Sequence, residues 1–104
     1  MKESVQEIEV EIRNAQGLHL RPAMQLVDLA AGFKSDISIR NEKDTADAKS
    51  IMQMMKIVTP YGTRLKICAQ GNDAREALES IRKLVEEEMF GEPPPGPASQ
   101  SSEG

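Results

Sequence analysis

Apolar and polar residues alternate with a period of two over residues 4–14, where Ile8, Val10 and Ile12 fall between Glu7, Glu9, Glu11 and Arg13. That alternation predicts a half-buried strand with one wet, acidic face. Asn14-Ala15-Gln16-Gly17 reads as a turn, its glycine free to take a positive φ. Over residues 21–31 the period becomes helical. Ala23, Leu26, Val27 and Ala30 make the buried stripe, Leu20, Met24 and Ala31 widen it, and Gly32 ends it as a C′ residue.

Alternation returns at Ile37 and Ile39, giving a second strand over residues 36–41, followed by the polar turn Asn41-Glu42-Lys43-Asp44. Residues 45–48 make a short third strand. Ser50 and Gln53 form a capping box that opens a short helix running to about Val58. Residues 63–70 are the clearest strand after the first, with Leu65, Ile67 and Ala69 on the buried side. Asp73 and Glu76 suggest a second capping box. The helix it opens carries Ala74, Ala77, Leu78, Ile81, Leu84, Val85 and Met89 on one face. Each strand has a single apolar face, so all the helices must cover the same side of one sheet, an α+β domain of two layers.

From Gly91 onward Pro, Gly, Ser and Glu replace every large apolar residue. Such a segment cannot bury enough surface to offset its ordering entropy. The expected division is a folded domain over residues 1–91 and a disordered tail over 92–104.

Composition narrows the function. With 104 residues there is room for one domain and one modest core, and aromatics at 3% leave that core to aliphatic side chains. A net charge of −4 without a Lys/Arg cluster speaks against nucleic-acid binding. The single Cys68 allows no internal disulfide and fits a reducing compartment. No leader-like or membrane-spanning apolar run is visible, so the expected setting is the cytoplasm. One histidine and one cysteine offer no metal-ligand cluster, and no glycine-rich loop offers a nucleotide cradle, so neither metal nor cofactor is expected.

That one histidine is His19, in Gly17-Leu18-His19-Leu20-Arg21-Pro22-Ala23. Proline suits a helix start because its missing N–H would have no partner there, which puts His19 beside free backbone N–H groups where an anion is welcome. Arg21 adds a planar fork of donors suited to phosphate oxygens. The plainer reading is a solvated surface histidine beside an ordinary Arg-Pro helix start.

The heptapeptide resembles the active-site signature of the histidine-containing phosphocarrier protein family, HPr, of the bacterial phosphoenolpyruvate-dependent phosphotransferase system. Lys49-Ser50-Ile51-Met52 is similar to the segment around that family's regulatory serine, and Gly32-Phe33 and Ala69-Gln70-Gly71 also fit. Leu20 departs from the pattern, in which a small residue or threonine follows the histidine, and the proline-rich tail has no counterpart in short members.

The resemblance implies an open-faced β-sandwich: a four-stranded antiparallel sheet with three helices on one face. It also implies that His19 accepts a phosphoryl group on Nδ1 from phospho-enzyme I and passes it to enzyme IIA domains in sugar uptake and its regulation. The chain would then be a monomeric carrier with a phosphohistidine intermediate, not a stand-alone catalyst. A neutral imidazole is already a nucleophile, so no adjacent general base is needed. Phosphoryl transfer asks chiefly for placement and charge stabilisation, which a helix start and Arg21 supply. That helix start also disfavours the imidazolium, keeping the ring reactive near neutral pH.

Ser50 has two readings: an N-cap and nothing more, or a target of an HPr kinase/phosphorylase whose added charge repels acidic partners. Leu20, Met24, Ile51, Met52 and Met55 would form an adaptable docking patch around the histidine, while Met54 belongs to the core. Two alternatives stand beside the sugar carrier. One is a regulatory module controlled through Ser50; such relatives characteristically lack the histidine. The other is the nitrogen-related branch, whose carriers Arg21-Pro22-Ala23-Met24 and Ile39-Arg40-Asn41 resemble.

Overall fold

The computed structural model describes residues 5–96. Ser4, at the start of the expected first strand, and residues 97–104 of the expected tail lie outside them. Four strands, β1 (Val5–Glu11), β2 (Asp36–Arg40), β3 (Thr45–Asp47) and β4 (Arg64–Gln70), form one antiparallel sheet in the order β1-β4-β2-β3. Register follows the apolar alternation. Ile8 pairs with Ile67, Ile67 with Ile39, and Ile39 with Ala46, one aliphatic row crossing all four strands. A slip of one residue anywhere would turn that row toward water.

The row faces three helices: α1 (Leu20–Ala31), α2 (Ile51–Met54, continued by a 3₁₀ turn Met55–Ile57) and α3 (Ala74–Arg82). Ala23, Leu26 and Ala30 of α1, Met54 and Ile57, and Ala74, Ala77, Leu78 and Ile81 of α3 close over it. The opposite face is bare and charged. Lys66 and Arg40 stand directly opposite one another there, and both reach Glu7, at 3.6 and 3.7 Å. Pairs this exposed add little stability, but they keep two like charges from facing each other uncompensated.

The structure departs from the local reading at several ends. Helix α1 starts at Leu20, so Pro22 is its third residue, still within the turn whose N–H groups lack partners. Gly32 caps α1 in right-handed geometry rather than with a positive φ. Asp73 caps nothing with its side chain. Its carboxylate accepts instead from the Lys34 and Ser35 N–H groups and the Ser35 hydroxyl, tying the α1–β2 turn to the start of α3. Those bonds, the Ser35 hydroxyl first, hold the Asp73 carboxyl below its ordinary range despite partial desolvation.

The final helix is not one α-helix to Met89. After Arg82 it widens into a π turn (Lys83–Glu87) and then reverses through a left-handed turn at Met89–Gly91. Within the π turn Glu86 accepts the Glu11 N–H at 2.8 Å, covering a donor on the outer edge of β1.

Candidate functional site

The site begins with a turn that only glycine can make. Gly17 has φ +77°, and a Cβ there would run into the Thr59 carbonyl oxygen. Leu18 follows, fully buried, and exchanges backbone hydrogen bonds with Thr59 at 2.8 and 3.2 Å. Burial of Leu18 turns the next residue outward. His19 therefore becomes the N-cap of α1, extended at φ −102° and ψ −166°, with its side chain about one-third exposed (33%).

The ring does not cap the helix through a hydrogen bond. Its Nε2 instead meets the Glu92 carboxylate at 2.9 and 3.1 Å. An ionised carboxylate only accepts, so Nε2 carries the hydrogen, and in the neutral ring the lone pair resides on Nδ1. Nδ1 makes no hydrogen bond among the described residues.

Glu92 is itself held. Asn14, completely buried in the turn, gives one Nδ2 hydrogen to the Gly17 carbonyl at 2.7 Å and the other to Glu92 at 2.9 Å. The reverse amide orientation would aim an oxygen at two acceptors. Pro93 is anchored next door, its carbonyl accepting from Ala15 N–H at 3.0 Å. Partial burial (11% exposed) pushes the Glu92 carboxyl up, but the bonds from Asn14 and His19 and the charges of His19 and Arg21 outweigh it and hold it below its ordinary range.

What delivers Glu92 is Phe90. Met89, Phe90 and Gly91 all take positive φ, at 50°, 57° and 77°. Two non-glycine residues in that region are strained, and the strain is held by burial of the Phe90 ring and by Gln25 Nε2 donating to the Phe90 carbonyl at 3.1 Å. This tight reversal sends the chain back to the Asn14–His19 turn. The segment expected to be a free tail from residue 92 thus supplies a side chain to the site.

The remaining sequence candidates fall as follows. Arg21 is exposed, close enough for its charge to act on Glu92, and has no hydrogen bond or ion pair among the described residues. Leu20, Met24, Met52 and Met55 are all exposed, at 52, 50, 82 and 39%, on the adjoining helices α1 and α2. Ile51 is half-buried against the core, and Met54 fully buried. Ser50 is the N-cap of α2, its hydroxyl accepting from Gln53 N–H at 3.2 Å; the Gln53 side chain does not close the box but accepts from Asp47 N–H. Sequence reading missed Glu92, Asn14 and Phe90. The one available signal was Phe90 itself, the last large apolar side chain before the composition changes.

No group of three or more His, Cys, Asp or Glu placed to hold a metal occurs among the described residues, and no described helix is long and apolar enough to cross a membrane.

Residues 6–87 match the family described as "PTS HPr component phosphorylation site". The chain is similar to the HPr-like protein Crh of Bacillus subtilis, 40% identical over 77% of this chain and 94% of that protein. It is similar to the phosphocarrier protein NPr of Proteus mirabilis, 38% identical over 74% of this chain and 87% of that one. Among solved structures, HPr from Thermoanaerobacter tengcongensis superposes with a TM-score of 0.78 at 38% identity, covering 84% of this chain and 97% of that one.

Proposed function

The chain belongs to the HPr family of phosphotransferase-system phosphocarriers, and from that premise we propose that His19 is its phosphoryl acceptor, loaded by phospho-enzyme I and unloaded onto enzyme IIA domains. The observation that supports this reading is the ring's geometry. Nε2 is engaged by Glu92 while Nδ1 is left with a lone pair and no competing bond, on a partly exposed side chain at a helix start. A site that must give its cargo away needs reach more than enclosure.

Arg21 serves as the phosphate clamp. Its guanidinium is exposed and uncommitted, free to close on three phosphoryl oxygens when they arrive. Leu20, Met24, Met52 and Met55 form the apolar docking patch, with Ile51 contributing an edge. Ser50 is the regulatory phosphorylation site of an HPr kinase/phosphorylase. Its phosphate would stand at the start of α2, in the same patch, and oppose acidic partners. In this reading the carrier acts in the cytoplasm as a monomer, a unit that already holds His19, Arg21, Asn14 and Glu92 together.

Incubation with enzyme I and radiolabelled phosphoenolpyruvate tests the reading. Acid-labile label on the wild type that disappears in His19→Ala is expected; an unlabelled wild type overturns it. Arg21→Ala should retain its fold and label roughly tenfold to a hundredfold more slowly, the worth of a charge-assisted contact.

A second reading, the nitrogen-related branch, draws on the similarity to NPr. Capture of enzyme IIA domains by the phosphorylated chain separates the branches.

A further inference from the structure

Asn14, Glu92 and His19 form a chain of hydrogen bonds that begins in a fully buried amide and ends on a partly exposed ring. Each member constrains the next. Asn14 is fixed because both its Nδ2 hydrogens are committed, to Gly17 and to Glu92. Glu92 is fixed because Asn14 meets one carboxylate oxygen while both lie within reach of the ring, and because the Ala15–Pro93 backbone bond holds the next residue. The ring is left with one orientation in which Nε2 faces the carboxylate.

The geometry points to Glu92 as a positioning residue that holds the Nε2 hydrogen of His19, selects Nδ1 as the nucleophile and balances the charge the ring acquires on phosphorylation. This deepens, and rests on, the phosphocarrier reading.

Consider the transfer itself. The Nδ1 lone pair forms the N–P bond while the bond from phosphorus to the phosphorylated donor breaks, its electron pair leaving with the donor. No hydrogen leaves the ring, because the attacking nitrogen had none. The imidazole therefore gains one positive charge, delocalised over both nitrogens, with Nε2–H still pointing at Glu92. An ion pair replaces a neutral hydrogen bond at the moment charge appears, and it is already assembled. In the return step the N–P electron pair goes back to Nδ1, the phosphoryl group passes to the next acceptor, and the ring is neutral again with its hydrogen where it was. Loading and unloading need no proton shuttle, only an acceptor that never lets go of Nε2–H. A carboxylate held by a buried amide meets that requirement.

The test uses the full chain and three variants. In wild-type protein labelled with ¹⁵N in the His19 ring, a slowly exchanging Nε2–H proton should be visible by NMR. Glu92→Ala should lose that protection and load from phospho-enzyme I roughly tenfold more slowly, with a modest fall in melting temperature because one Nδ2 hydrogen of the buried Asn14 is left unpaired. Glu92→Gln keeps an acceptor oxygen but no charge, so it should recover the protected proton without recovering the rate. Asn14→Ala should give an intermediate loss of both. A ring hydrogen found on Nδ1 in the wild type overturns the proposal, as does Glu92→Ala with both proton protection and loading rate unaltered. Because the proton is read on the unphosphorylated chain, its result stands even should the wild type accept no phosphoryl group, so the two readings fail separately.

Discussion

Gln25 donates to the backbone carbonyl of Phe90 at 3.1 Å, joining the middle of α1 to a turn 65 residues later. The bond belongs to the reversal that carries Glu92 to His19, so stability and site geometry share an anchor. Phe90→Ala should cost about 3–5 kcal/mol, the usual penalty for emptying an aromatic site in a packed core. Chemical denaturation measures that. Hydrogen exchange should show the larger increase at Gly91 and Glu92, whose N–H groups bond to Glu88 and Met89 within this turn.

Two glycines with nearly the same backbone angle should respond differently to one methyl group. Gly17 and Gly62 have φ of +77° and +87°, but a Cβ at Gly17 strikes the Thr59 carbonyl while one at Gly62 meets nothing within 4 Å. Gly62→Ala should cost only the left-handed penalty, about 1–2 kcal/mol. Gly17→Ala should cost about 2–4 kcal/mol by adding a backbone clash, and it should also slow His19 loading. Parallel thermal melts of the two variants give the comparison; equal losses would mean that Thr59 yields freely.

At Ser50 the hydroxyl is a helix cap before it is anything else. Ser50→Ala should lower stability by about 1 kcal/mol, whereas Ser50→Asp keeps a capping oxygen and should be close to neutral. The loading rate should rank the variants the other way, nearly normal for Ser50→Ala and reduced for Ser50→Asp, whose charge sits beside the proposed docking patch. Melting and labelling on the same preparations separate the cap from the charge.

Acid should unfold this chain partly through Asp73 and Glu92. Both carboxyls are held below their ordinary range in the folded state. A depressed folded value means the unfolded chain takes up the proton first. Their stabilisation is complete above the unfolded carboxylate range, from about pH 5 upward, and is lost as pH falls through the lower folded values. Asp73→Asn should therefore flatten the fall in denaturation midpoint between about pH 5 and 3. A variant as acid-sensitive as wild type would assign that loss to other groups.

The sheet was legible because its rule is local: Ile8, Ile39 and Ile67 stand at every second position, and only one face can be buried. His19 at a helix start was legible for a similar reason, with Gly17 before it and Pro22 after it both restricting the backbone. Glu92 was not. Phe90, two positions before it, is the only local hint of order, since the partner of Glu92 lies 73 positions away and its route depends on Met89 and Phe90 taking a conformation that propensity disfavours. Asp73 misled in the same way. Three residues before a glutamate it reads as a cap, yet Lys34 and Ser35, distant in sequence, offered better donors. Short-range rules see periodicity and punctuation; they do not see which distant group competes for a carboxylate.

With Glu92 moored beside the ring and Pro93 tied to Ala15, a fluorescent protein fused downstream would depart from next to His19 itself. The same label in front of Met1 would enter at Val5, the far end of a seven-residue strand and roughly 20 Å from the ring's end of the sheet. Reporters and purification handles therefore belong at the amino end.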